Sequence, residues 1–461
     1  MLKKLLKKIP VRLGRQSHRQ HPELIGPRQH PVRNHQLSKN ALTVVERLRK
    51  AGYEAYPVGG CVRDLLLGLD PKDFDVATSA TPEQARGVFR NARLIGRRFK
   101  LLHVVFGRDV IEVATFRANH DNDSDDAKAQ TNASGRLLRD NVYGSLDQDA
   151  LRRDFTINAL YFDIDGERII DHARGVHDIH NRLIRLIGTP EQRYQEDPVR
   201  MLRAARFAAK LDFEIERHTA APIRSLAHLL NDIPSARLFD EVLKLFMGGH
   251  ALRTFEVMQE YNLFAPLFPL TAKALKHDET ALPLIRQALA NTDERIAQDK
   301  PVTPAFLFAA LLWPALRARA AQLQEQGAPA LQAMQQAAQD VTHQQCQRTA
   351  IPKRFSFPMR DIWELQERLP RRAGKRADTL LENPRFRASY DFLLLREHAG
   401  EVTEQLGQWW TEYQFANDSR RREMIRQLSK QADAGGGEST DGKRRRRGGR
   451  RRGPRKPSAA E

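Results

Sequence analysis

The sequence has two cysteines in 461 residues, Cys61 and Cys346, far apart and without a CxxC pair. That excludes a disulfide scaffold and a thiolate zinc site, and it suits a reducing compartment. No apolar run approaches the ~18 residues needed to cross a bilayer. No apolar stretch follows the basic opening MLKKLLKKIP, so neither a membrane span nor a secretory signal is expected, and the setting is cytoplasmic. The Leu pairs between Lys pairs in that opening can touch a membrane surface weakly, but a solvated arm is the favoured expectation. The fifteen histidines show no HxH or HExxH spacing. His-Asp dipeptides at His120, His177 and His277 stand in polar contexts, too weak to carry a metal-dependent phosphohydrolase. No fixed-period repeat is present, so no solenoid is expected.

What is abundant is positive charge. Lys and Arg number 76 against 57 Asp and Glu, a formal net charge of +19. A chain this basic is expected to meet a polyanion, nucleic acid above all. Hydrophobic residues make up 41%, enough for a sizeable interior, and the length suggests about two to four domains. Residues 1–38, rich in Arg, His, Gln and Pro, read as a flexible basic arm. A helix fits 39–51. Strand-like runs then alternate with helical ones to about residue 187: YEAYPV, KDFDVAT, RLIGRRFKLLHVVF, DVIEVATF, INALYFDI and RLIRLIG, with a turn at Gly107-Arg108-Asp109. The polar segment 119–141 reads as a mobile surface loop. Beyond 188 the pattern is helical to about 431. Residues 432–461 are Gly-rich, then Arg-rich, and cannot bury a core, so they are expected to be disordered.

The chemistry-bearing residues come in order. Gly59-Gly60 follows a strand, with Arg63 and Asp64 just after; glycines let backbone amides approach a phosphate, and Arg63 is placed to reach it. By itself such a turn can be purely structural. About a dozen residues on comes Lys72-Asp73-Phe74-Asp75-Val76. In a strand, Asp73 and Asp75 share one face, and paired carboxylates of this kind suit a hard cation such as magnesium. Glu112 lies opposite Ile111 and Val113 by strand parity; it is either a third carboxylate or a partner for Arg117. Arg153 and Asp154 follow, and Asp154 either binds metal, holds Arg153 or positions a ribose hydroxyl. Finally EDPVRMLRAARF over 196–207 offers Asp197 as a helix cap, Pro198 at the first helical position, and Arg200, Arg203 and Arg206 along one i+3 ridge.

VGGCVRDLLLG over 58–68 followed by KDFDV over 72–76 resembles the head of the class II nucleotidyltransferases, the bacterial poly(A) polymerases and CCA-adding tRNA nucleotidyltransferases of the polymerase-β-like group. IEVATFR over 111–117, LRRDFTINA over 151–159 and EDPVRMLRAARF continue the resemblance, which spans roughly residues 40–280. It implies an α+β fold: a polymerase-β-like head with a mixed β-sheet over 39–187, a helical nucleotide-selecting, RNA-binding neck over 188–280, a helical Arg-rich body over 281–431, and a disordered basic RNA-binding tail over 432–461. It further implies Asp73, Asp75 and Asp154 as catalytic residues, with Asp73 and Asp75 binding two Mg²⁺, for which Mn²⁺ can substitute. Gly60, Arg63, Arg153, Asp197, Arg200 and Arg203 are implied in nucleotide binding. Asp accepts and Arg donates, so Asp197 and an arginine can match a base's Watson–Crick edge without a template.

GRRFKLLHV over 96–104 and LRDNVYGS over 138–145 resemble segments of the poly(A) branch. A third pointer is the run of ten basic residues from Lys443 to Lys456, which supplies sequence-independent phosphate contact. The expected substrates are ATP and single-stranded RNA 3′ ends, with RNA-decay proteins as partners. A CCA-adding enzyme and a non-catalytic RNA-binding protein are the alternatives. Trp409-Trp410 either stacks on RNA or packs in a helical core, with packing favoured.

Overall fold

The computed structural model of the protein describes residues 21–96, 100–118, 130–131, 137–139, 142–402 and 405–435. The first twenty residues, 97–99 of the GRRFKLLHV segment, most of the polar segment 119–141 and the basic run 443–456 lie outside them.

The first half of the chain alternates strands with short helices. In order these are β1 (Glu23–Ile25), α1 (Lys39–Lys50), β2 (Ala55–Val58), α2 (Gly60–Leu66), β3 (Asp75–Thr78), α3 (Pro82–Val88), β4 (Ala92–Ile95), β5 (Leu101–Phe106) and β6 (Asp109–Thr115). There follow β7 (Gln130–Thr131), β8 (Leu137–Arg139), α4 (Leu146–Arg152), β9 (Leu160–Asp163), β10 (Arg168–Asp171), α5 (Gly175–His180), β11 (Leu183–Ile184), α6 (Pro190–Glu196), α7 (Val199–Leu211) and β12 (Glu214–Ile215). Eight strands form one mixed sheet in the order β1-β10-β9-β2-β3-β6-β5-β4, in which only β3 and β6 run parallel.

Strand alternation divides the sheet into two faces. On one, Ala55, Val76, Leu102, Val104, Ile111, Val113 and Phe162 join the main core. There α1 contributes Ala41, Val44, Val45 and Leu48, an i, i+3, i+4, i+7 stripe started by the Ser38 hydroxyl, which accepts from Asn40 N. On the other face a small apolar cluster of Val58, Ala77, Phe116, Tyr161 and Ile170 packs against Ala150 of α4. The polar residues of interest stand on this second, less covered face.

Several elements differ from the sequence expectation. Within 119–141, expected as a loop, β7 and β8 pair antiparallel, and 432–435, expected to be disordered, complete the helix Asp418–Gly435. Residues 21–38 are not a solvated arm: β1 pairs with β10 at the sheet edge, and Asn34 bonds to Ile164 O and to Glu167. Ile157 and Asn158, expected as the start of a strand, lie in a single 3-10 turn, Thr156–Asn158, before β9. Asp73 precedes β3 rather than lying in it, because the register with β2 ends at Val58↔Asp75. At Gly59 the backbone takes φ +77°, a conformation that favours glycine, and β2 turns away.

After α7 the described chain is helical apart from β12, which pairs with β11. Three long helices, Pro304–Glu325, Ala330–Arg348 and Lys353–Arg368, pack on one another and continue the main core. A second core near the C-terminus gathers Leu365, Leu369, Tyr390, Trp410 and Tyr413. Trp410 is fully buried and donates to Leu369 O, and Trp409 stacks on Tyr413 at 4.6 Å, so this pair packs within the helices. Among the described residues no helix is long and apolar enough to cross a membrane.

The turn at Thr156–Asn158 is pinned by α5. Thr156 Oγ1 donates to buried Asp178 at 2.7 Å, and a Cβ at Gly175 would stand 2.3 Å from Thr156 O. Gly175→Ala therefore forces the turn away from α5. Overpacking of this kind is expected to lower unfolding free energy by about 1–3 kcal/mol, measured by urea titration.

Candidate active site

A row of register partners crosses the open face: Tyr161 on β9, Val58 on β2, Asp75 on β3, Glu112 on β6 and His103 on β5. Paired residues point to the same side of a sheet, so the parallel pairing of β3 with β6 sets Asp75 and Glu112 side by side. The Asp75 carboxyl is pushed up to about 6, by burial first, then by the Glu112 charge, with Asp73 adding and Arg153 opposing. Asp73 itself is exposed. His103 Nε2 lies 3.5 Å from Glu112 Oε2.

Arg153 caps α4 and stands behind this row. Its guanidinium donates to Asp149 and to the Tyr161 hydroxyl, while its Nη1 edge faces the glycine turn. Around it gather further arginines. The Arg152 guanidinium is held down to about 9, by burial first and then by Arg117, Arg193, Arg200 and Arg153. Arg193 is lowered to about 10 by burial and by Arg200. Asp149 accepts from Arg153, and Glu196 accepts from Arg193 and Arg200. Arginines grouped in this way are the chemistry of a polyphosphate site. Arg117, Arg152 and Arg193 were not singled out as ligands in the sequence. Arg152 lies within LRRDFTINA and Arg193 just before EDPVRMLRAARF, a signal that points to them only once the fold brings those segments together.

α7 runs beside the cluster. Its apolar positions, among them Met201, Leu202, Ala205 and Ala208, face the core, and Arg200, Arg203 and Arg206 are half-buried on the opposite ridge. Asp197 caps it: Oδ1 accepts from Val199 N at 3.3 Å, and Oδ2 accepts from Arg237 at 2.7 Å. Burial raises its carboxyl, but Arg237 and Arg200 outweigh that and hold it below its ordinary value. Arg200 donates to Glu196 and to Arg193 O.

Two sequence expectations are relocated. Asp154 does not join the acidic row: it accepts from Arg203 Nε at 2.6 Å, from Phe155 N and from Asn158. Burial opposes its ionisation, but Arg203 and these donors draw its pKa down to about 2. It is Glu112 that the sheet sets next to Asp75. Arg63 does not reach an open phosphate site: it is 3% exposed, bonded to Asp64 and Asn158, and stacked against Phe207. Gly60 stands at the first position of α2, directly beneath the turn.

Asp73, Asp75 and Glu112 are hard oxygen donors whose charges oppose one another, and a divalent cation relieves that opposition. Among the described residues no set of three or more His, Cys, Asp and Glu is already gathered closely enough to hold an ion. The folded state binds the Asp75 proton more tightly than the unfolded chain does, so ionising Asp75 costs stability. The contribution of its neutral carboxyl is complete below the ordinary value of 3.8 and is lost as pH rises through about 6. In chelator, Asp75→Asn is expected to raise the melting temperature at neutral pH and to give no gain in acid. Magnesium is expected to raise the melting temperature of the unmodified protein but not of this variant.

Three segments match described families: residues 55–185 match "Poly A polymerase head domain", 212–275 "Probable RNA and SrmB-binding site of polymerase A", and 326–452 "Polymerase A arginine-rich C-terminus". The chain is 50% identical to poly(A) polymerase I of Salmonella typhimurium, over 89% of this chain and 90% of that protein. It is 46% identical to poly(A) polymerase I of Haemophilus influenzae, over 92% and 95%. A CCA-adding enzyme of Lactobacillus helveticus is 37% identical over 48% of this chain and 53% of its own length. Among solved structures, the Bacillus stearothermophilus CCA-adding enzyme in complex with CTP aligns at TM-score 0.53 and 26% identity, covering 84% of this chain and 82% of that one. The sheet, the acidic row and the extent of these matches agree: the chain belongs to the poly(A) polymerase family of nucleotidyltransferases.

Proposed function

We propose that the protein extends RNA 3′ ends with adenylate residues, without a template, from ATP and with release of pyrophosphate. The observation that carries this reading is identity of about half to proteins named poly(A) polymerase I, across about nine-tenths of both chains. The CCA-adding relatives match about half of this chain at lower identity, which favours them less. The reading places the protein in the cytoplasm, in RNA turnover, in company with RNA-decay proteins.

In this reading Asp73 and Asp75 hold the divalent cations, Mg²⁺ foremost, with Mn²⁺ as a substitute and Glu112 as the third carboxylate of the row. Cations held there supply a lowered pKa for the RNA 3′ hydroxyl and neutralise the triphosphate. The 3′ oxygen attacks the α-phosphorus in line, and the bond to the β-phosphate bridging oxygen breaks. Arg117, Arg152, Arg153, Arg193 and Arg200 bind the triphosphate, while Gly59-Gly60 lets it approach the backbone. Asp197 and an arginine of α7 meet the base. Two of the four lone-pair sites of the Asp197 carboxylate are taken by Val199 N and Arg237, so an acceptor remains for an exocyclic amine. Asp154 and Arg63 act indirectly, by fixing α7 and α2.

The reading is tested by incubating the protein with a generic single-stranded RNA, Mg²⁺ and one nucleotide at a time. A long ladder with ATP alone supports it. Addition restricted to tRNA lacking its end, with CTP required, moves the protein to the CCA-adding branch, and no extension on any RNA refutes both. Asp73→Ala or Asp75→Ala is expected to abolish extension while RNA binding, measured by filter retention, survives; turnover like the parent's removes the cation assignment.

The basic run 443–456 is proposed to contact RNA phosphates. Deleting 436–461, which leaves the helix Asp418–Gly435 whole, is expected to weaken RNA affinity and flatten its salt dependence. Each lost phosphate contact should reduce the slope of log K against log salt by about 0.7. An unchanged slope shows that the run makes no such contact.

A further inference from the structure

We propose that Asp149 and Tyr161 are positioning residues that hold the Arg153 guanidinium toward the glycine turn, and thereby set how the nucleotide binds. This rests on the reading that Arg153 contacts the nucleotide.

The arrangement behind Arg153 is a closed triangle. Tyr161 Oη donates to Asp149 Oδ2 at 2.6 Å. Arg153 Nε donates to Tyr161 Oη at 3.0 Å and to Asp149 Oδ2 at 3.2 Å, and Nη2 donates to Asp149 Oδ2 at 3.0 Å. The other Asp149 oxygen accepts from Arg117 N at 3.1 Å, just past the end of β6. Tyr161 is the cross-strand partner of Val58, the residue before the glycine turn. Three parts of the site are therefore surveyed from one carboxylate: the strand carrying Glu112, the helix carrying Arg153 and, through Tyr161, the turn at Gly59.

Exposure is graded in the same direction. Tyr161 is fully buried and Asp149 is 7% exposed, whereas the Arg153 side chain keeps 23% of its surface. The sealed partners grip the Nε–Nη2 edge, and Nη1 is left toward the turn, 3.5 Å from Asn158 O and from where a Gly59 Cβ would stand. Burial, with the Asp149 charge adding to it, raises the Tyr161 hydroxyl well above its ordinary value, so it remains a donor to Asp149.

The triangle also has something to prevent. Arg153 acts on Asp75 as its opposing charge. An arginine released from Asp149 is free to pair with the acidic row, where it competes with the cation that the row is read to hold. Asp149 thus keeps the positive group close enough to meet phosphate and away from the carboxylates.

The test is a double-mutant cycle on the full chain: Tyr161→Phe and Asp149→Asn, each alone and each combined with Arg153→Ala. The readouts are ATP affinity by equilibrium titration, KM and kcat for ATP in RNA extension, and the magnesium concentration for half-maximal rate. Losing a hydrogen bond to a charged group corresponds to roughly a tenfold change. Tyr161→Phe is expected to weaken ATP binding and raise KM about tenfold with a smaller change in kcat, and Asp149→Asn at least as much, with a higher magnesium requirement. In the Arg153→Ala background neither is expected to weaken ATP binding further. Effects that multiply in that background, or a fall in folded fraction with ATP affinity unchanged, overturn the proposal. Tyr161→Phe keeps the ring and its packing, so it decides the matter even where Asp149→Asn does not fold. ATP titration needs no RNA extension; a parent protein that binds ATP but extends no RNA counts against polyadenylation and leaves the cycle to be read on affinity alone.

Discussion

One carboxylate, Asp154, joins the sheet to the helix beside it. It takes Arg203 of α7 on one side and Asn158 on the other; Asn158 accepts from Arg63, Arg63 is bonded to Asp64, and Asp64 receives Lys210 one further stretch along α7. The chain leaves α7 and returns to it two turns later, so the helix can neither slide nor roll without parting ion pairs. Removing a member leaves its partner's charge without a counter-ion, and the cost is greatest at Arg63, which is 3% exposed. α7 carries Arg200 and is capped by Asp197, and Arg193 of α6 clamps the carbonyls of Arg152 and Arg153 at 2.6 and 2.8 Å. The arginine cluster draws on the end of β6, on α4, on α6 and on α7, and this circuit brings them to one place before any ligand arrives.

The circuit also explains what could be read from the sequence and what could not. Period-two alternation gave β2, β5 and β6, and it put Glu112 on the face opposite Ile111 and Val113, as observed. Alternation says nothing about which strand lies next to which. Only the parallel pairing of β3 with β6 sets Glu112 against Asp75 and leaves Asp154 to other work. Arg63 misled for a related reason. A polar residue in the first turns after a glycine pair looks exposed, and the partner that draws it inward, Asn158, lies 95 residues away in sequence. β1 was hidden because its three residues have no alternating pattern of their own; the unpaired edge of β10 makes them a strand. The helix cap at Asp197 was legible because caps are local, whereas its grip by Arg237, from a later helix, was not.

Charge in the site is separated rather than neutralised. On the sheet, carboxylates stand beside carboxylates and the Asp75 proton is held too tightly; a short distance away arginines stand beside arginines and the Arg152 and Arg193 protons are held too loosely. Within each group the like charges raise one another's cost, and Arg153 is the member that bears on both. A protein optimised only for stability would pair these charges directly. Keeping them apart requires Asp149 and Tyr161 on one side of Arg153 and the Asp154 circuit beneath. On the proposed reading, a metal-bound nucleotide would carry the complementary arrangement, cationic at the acidic row and anionic at the arginines, and its binding would relieve both repulsions at once.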